Sequence, residues 1–187
     1  MKKLNLGCGI EYKEGFTNVD FHSHIQIDVQ HDLNSIPYPF KDEEYDFIYA
    51  SHVLEHLDKP FVVMTELHRI LKKGGKLQVK VPHFSRGFTH SEHKAGFDVT
   101  FPYYFNPNFT KSGYYGVNFE LEKMELHYFA FFHLLPYMGV GKFTIAVMRV
   151  MGAVMNFFAR LSPSLCSRLW CFWVGGFEEI EFIFIKK

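Results

Sequence analysis

The residues of this chain best suited to chemistry begin at its amino-terminal end. Leu4-Asn5-Leu6-Gly7-Cys8-Gly9 carries an apolar stretch into two glycines one residue apart, and Asp20 follows eleven residues after Gly9, closing a second apolar stretch. Glycine lets the backbone turn through positive φ and lets a ligand approach without meeting a Cβ. A carboxylate at the tip of the next strand can accept both hydroxyls of a ribose. The combination implies a nucleoside ligand at the carboxyl ends of parallel strands. The second set is histidine: His52 and His56, His83, then His90 and His93 follow segments patterned as strands. Imidazole titrates near neutrality, which suits a general base. Each of these histidines also has a plain alternative as a hydrogen-bonded structural residue.

The elements that position these groups are legible as an alternation. Lys3 to Leu6 and Thr17 to Asp20 read as buried strands, Ile25 to Val29 as a short third, and Tyr45 to Ala50 as a fourth. Pro60 fits the first turn of a helix whose apolar face is Val63, Leu67, Ile70 and Leu71. Lys72-Lys73-Gly74-Gly75 ends it, with cations on the negative end of the dipole and glycine as the stop. Lys76 to Val81 alternates as a fifth strand and stops at Pro82; a sixth lies within Phe119–Phe132 and a seventh at Glu178–Ile185. The fold class expected is α/β: a doubly wound, mostly parallel seven-strand sheet with an antiparallel last strand. The whole chain, 1–187, is expected to be one domain, with 83–117 a substrate-side loop and 134–177 an apolar, basic helical insertion.

These residues carry a resemblance. The ordered set LNLGCG, NVD, HDL, YDFIYASHVLEHL and LHRILKKGGKLQVKVP, over residues 3–84, resembles the class I S-adenosylmethionine-dependent methyltransferases, most closely their small methyltransferase-type-11 members. The resemblance implies S-adenosylmethionine as cofactor. Gly7 and Gly9, with the Cys8 backbone, would approach its methionine portion, and Asp20 its ribose. Asp32 and Leu33 would border the adenine, although Asp28 is nearby and could be a surface or packing acid. Ala50, Ser51 and His52 would face the sulfonium. A dinucleotide fold would want a third glycine where this chain has Glu11 and Tyr12. The short route from Gly9 to Asp20 leaves the first family helix reduced to a loop. His83 and His93 are the expected substrate-side catalytic residues, with Ser91-Glu92-His93-Lys94 matching the end of a family loop. Tyr103 and Tyr104 are candidates for lining a substrate pocket, or for packing in the core or a lid. No metal is expected, because His83, His90 and His93 lack a ligand pattern of known spacing.

Composition limits the partners. Twenty basic and twenty acidic residues give zero formal charge, which argues against nucleic acid. Cys8, Cys166 and Cys171 form no zinc pattern. The apolar run of a signal peptide is interrupted by Asn5, the glycines and Glu11, so a cytoplasmic location is expected. No Asp or Glu occurs from Leu126 through Phe177, while Lys142, Arg149, Arg160 and Arg168 do. A helix over 142–161 with a thin basic stripe and a wide apolar face suits contact with the inner face of a membrane, internal packing, or a homodimer. The resulting expectation is a methyltransferase acting on a small-molecule, saccharide or lipid-linked acceptor, with oxygen as the methylated atom. The alternative is an inactive, membrane-associated protein that only binds the cofactor.

Overall fold

A computed structural model describes residues 1–22, 24, 26–87, 91–111 and 113–187; Ile25 and His90 lie outside the described residues. Seven strands, β1 (Lys3–Leu6), β2 (Thr17–Asp20), β3 (Val29–Gln30), β4 (Tyr45–Ser51), β5 (Leu71–Pro82), β6 (Phe119–His127) and β7 (Glu179–Lys186), form one sheet. Its order is β3-β2-β1-β4-β5-β7-β6. β1 to β5 pair in parallel, and β7 runs antiparallel to both β5 and β6. The inner strands are buried on both faces, which explains their unbroken apolar runs. Leu4, Leu6, Ile48, Leu77, Val79, Val81, Ile180, Phe182 and Phe184 form the centre of the core.

The helices include α1 (Pro60–Ile70), the single turn α2 (Phe84–Gly87) and α3 (Lys142–Leu161). α1 buries Val63, Met64, Leu67 and Ile70. It ends one residue before the expected stop, because Leu71 is already extended and pairs with Tyr45. Residues 72–75 then bulge out, and pairing resumes at Phe47 with Lys76. The third strand is shorter than expected, with Val29 and Gln30 alone pairing to β2.

The route from β1 to β2 contains turns and no helix. Two buried asparagines brace it. Asn18 Oδ1 accepts from the Lys13 amide at 2.9 Å and from Asn5 Nδ2 at 2.9 Å, while Asn5 Nδ2 also donates to the Glu11 carbonyl at 2.9 Å. Their side chains satisfy loop backbone groups that a helix would have satisfied itself.

Candidate active site

The strand order reverses between β1 and β4, and ligands of open α/β sheets bind outside the carboxyl ends at such a point. A cavity of about 620 Å³ lies there, lined by Gly7, Gly9, Asp20, Asp32, Leu33 and His52. The volume falls in the range of about 300–1,000 Å³ for small-molecule sites. Tertiary structure adds Phe21, His22, Asn34, Val53, His56, Leu57 and Glu92 to the lining. Phe21 and His22 follow Asp20 directly, so the tip of β2 is the sequence signal for them; Glu92 belongs to the family-like 91–94 segment, and nothing local marks Asn34.

Asp20 ties the glycine turn to β2. Its Oδ2 accepts from the Gly9 amide at 2.9 Å, and its Oδ1 from the His22 amide at 3.0 Å, with His22 Nδ1 at 3.1 Å. Burial opposes its charge, but the amides of His22 and Gly9 outweigh that and hold the carboxyl below its ordinary range. Gly7 and Gly9 both sit at positive φ, +60° and +51°. A Cβ on Gly9 would meet nothing within 4 Å. Cys8 does not line the cavity: its side chain is buried, and its amide donates to the Val19 carbonyl at 3.1 Å.

His52, at φ +52°, stands between two buried acids. Its Nε2 lies 2.8 Å from Glu179 Oε2 and its Nδ1 3.3 Å from Glu55 Oε1. Burial works against protonation, but Glu179 and Glu55 together raise its pKa to about 9. Around the ring, Phe131 packs at 5.0 Å, while Lys80 and His127 face Glu179 at 3.7 and 3.8 Å. The folded pKa exceeds the ordinary value of 6.5, so this contribution to stability is complete below about 6.5 and lost as pH rises through about 9. Thermal melts over that window should show stability declining with pH. His52→Asn, which tolerates the left-handed backbone, should flatten that slope: its loss of stability should be largest below about pH 6.5, at about 3–5 kcal/mol because two acids lose their cation, and should shrink as pH rises through about 9. An unchanged slope would show that His52 is not the titrating group.

Several sequence candidates are elsewhere. His83 is fully buried, with Nδ1 2.7 Å from Ser85 Oγ and Nε2 2.8 Å from Ser167 Oγ. Burial pushes its pKa down to about 4. It is a neutral brace joining β5 to the helical turns of 163–173, and the expectation of His83 as a substrate base is corrected on that geometry. Ser51 closes β4 opposite Lys80 and is not among the cavity-lining residues. Asp28 is outside the cavity as well; it is an exposed surface acid whose Oδ2 accepts from the Asn18 amide at 2.7 Å. Tyr103 stacks on Phe109 and Tyr104 meets Phe61 edge to face, both away from the cavity. His93 reaches it through His56, the two rings lying 5.0 Å apart. Glu55, His56 and His93 each place a ligand atom within 4.8 Å of the others. Glu55 Oε1, 4.0 Å from His56 Nε2, also faces the cationic His52, which would repel an ion.

The span that builds the cavity floor is also the span that matches known proteins. A family model described as a methyltransferase domain matches residues 4–79. Over that span the chain resembles a methyltransferase domain. The solved S-adenosylmethionine-dependent methyltransferase of Archaeoglobus fulgidus superposes with a TM-score of 0.56 at 16% identity, over 99% of this chain and 86% of that one. That of Mesorhizobium loti gives 0.55 at 12% identity, over 99% and 90%. At such identities the likeness is one of fold, and it extends the class I architecture through β6 and β7. An uncharacterised protein of Methanocaldococcus jannaschii is 44% identical over 80 residues, 43% of this chain; the match spans 38% of that relative's length. S-adenosylmethionine is the cofactor of class I methyltransferases, and this chain, which shares their fold, presents a glycine turn, an acid and a cavity at the carboxyl ends of β1 and β4, where such folds hold their ligand.

Proposed function

We propose that the protein transfers the methyl group of S-adenosylmethionine to an oxygen of a saccharide, lipid-linked or other small-molecule acceptor. The observation that carries this reading is the cavity at the β1–β4 reversal, with Gly9 open above it and Asp20 at its wall. The residues fit the cofactor. Asp20 retains lone pairs for the ribose hydroxyls, Leu33 and Phe21 offer apolar surface to the adenine beside Asp32, and the open space over Gly9 admits the methionine portion. Bound, the cofactor supplies a sulfonium methyl already activated for in-line displacement.

The chain then has two tasks, alignment and proton removal. Alignment by a rigid site is worth about 7–11 kcal/mol in favourable cases. For the proton, His93 packs against His56, which lines the cavity beside Glu92 of the 91–94 segment. We assign His93 as the base for the acceptor hydroxyl. His93→Ala should lower kcat about 10²–10⁴-fold while leaving affinity for S-adenosylhomocysteine unchanged.

The test is calorimetry with S-adenosylmethionine and S-adenosylhomocysteine, followed by transfer of a labelled methyl group over a panel of glycans, lipid-linked saccharides and phenols. Binding with turnover on a hydroxyl acceptor supports the proposal. Binding without turnover on any acceptor would leave a cofactor-binding protein, and no binding would refute the assignment of the cavity.

A further inference from the structure

α3 turns its apolar side away from the protein. Phe143, Val147, Val150, Val154, Phe157 and Leu161 recur at alternating spacings of four and three residues, one stripe of a helix. All six are exposed, Phe143 by 84% and Leu161 by 69%. The opposite side holds the helix down. Gly152 and Ala159 are buried, a Cβ on Gly152 would touch Phe129 at 3.4 Å, and Asn156 Oδ1 accepts from the Tyr128 amide at 2.8 Å. The exposed stripe continues past the helix into Leu165, Leu169, Phe172 and Trp173. Between α3 and these turns runs a groove of about 290 Å³ whose wall is almost wholly apolar. Contiguous apolar surface of this extent marks an interaction site.

Charge decides the occupant. Lys142, Arg149 and Arg160 project along one flank of α3, between its buried and outward sides. Arg160 pairs with Glu125 and, beyond the helix, Arg168 with Asp98, whereas Lys142 and Arg149 have no ion pair among the described residues. An apolar face bordered by unneutralised cations, with Trp173 74% exposed at its end, complements the acyl boundary and anionic headgroups of a lipid bilayer. A protein partner covering the same face would need acids placed against that flank. Although α3 is long and apolar enough to cross a membrane, Asn156, Gly152 and Ala159 commit one side of it to the fold.

We infer that α3 and the turns through Trp173 form a docking face that lies in the surface of an anionic membrane. The segment that follows β6 links this face to the cavity: Phe132 packs on Arg149 at 5.5 Å and Phe131 on His52 at 5.0 Å. Docking stands on α3 alone. Delivery of a lipid-linked acceptor to the cavity rests on the proposed methyl transfer.

Flotation of the full chain with phosphatidylglycerol-containing vesicles and with phosphatidylcholine vesicles tests docking. Binding should be about tenfold or more stronger to the anionic vesicles and should weaken with salt. Val150→Glu/Phe157→Glu should abolish it with an unchanged melting temperature, since both side chains are exposed. Emission from Trp170 and Trp173, the chain's two tryptophans, should shift blue on vesicle addition and be quenched by brominated lipid. Equal binding by the variant, unquenched emission, or a stable dimer that the variant splits would overturn the inference. Resistance to alkaline carbonate would overturn it in favour of a span. Retained vesicle binding with no methyl transfer would leave docking intact and remove only the proposed function.

Discussion

Asp20→Ala is expected to reduce affinity for S-adenosylhomocysteine by about 10²–10⁴-fold. Two hydroxyls donating to one carboxylate account for that range, at about 1.5–3 kcal/mol for each hydrogen bond to a charged group. The substitution also removes the acceptor that fixes the Gly9 amide at 2.9 Å, so the turn itself loosens. Calorimetric titration measures the loss, and circular dichroism checks the fold. Asp28→Asn is the control. It weakens the bracing of Asn18 and lies outside the cavity, so it should lower the melting temperature and leave affinity unchanged. Equal affinity in Asp20→Ala and the parent would remove Asp20 from the ligand site.

The two glycines should separate stability from binding. Gly7→Ala places a methyl group 2.4 Å from Val53 Cγ2 and 2.8 Å from its Cβ, on a backbone at φ +60°. Left-handed strain costs about 1–2 kcal/mol and overpacking about 1–3 more. A chain of this length should therefore melt roughly 4–20 °C lower. Val53→Ala in the same background should recover part of that, because it removes the clash and leaves the strain. Gly9→Ala meets nothing within 4 Å and bears only the strain at φ +51°. Its methyl group enters the space proposed for the cofactor, so it should lose affinity out of proportion to stability. Scanning calorimetry with and without S-adenosylhomocysteine distinguishes the two; identical behaviour of both variants would contradict the steric account.

Local pattern made much of this visible in advance. β1, β2 and β4 begin where their apolar runs begin, and α1 starts at Pro60. The glycine pair, Asp20, Asp32 and Leu33 were identifiable because each sits at the tip of such an element. The missing first helix was legible too, since a connection so short leaves no room for one. What replaces it was not, because Asn5 and Asn18 look like ordinary strand residues until the sheet sets them side by side. α1 stops at Ile70 although the apolar period favours helix at Leu71, because strand pairing with Tyr45 overrides it.

The histidines mark the boundary most clearly. His52 and His83 both stand at the carboxyl end of a strand, and by sequence they are equivalent. One lines the cavity as a cation because Glu179, 127 residues away, reaches its ring. The other is sealed as a neutral brace because Ser167, 84 residues away, reaches its own. The amphipathic pattern of 142–161 likewise announced a helix and its basic flank. Only packing against residues 128–132 decided that the apolar side faces outward. Sequence by itself determined the elements, the glycine turn and the acid beside it, because these depend on backbone geometry and neighbours a few residues apart. Tertiary structure decided which titratable groups meet the cavity and in what charge state, because burial and ion pairing are set by partners the chain brings together only when the sheet closes.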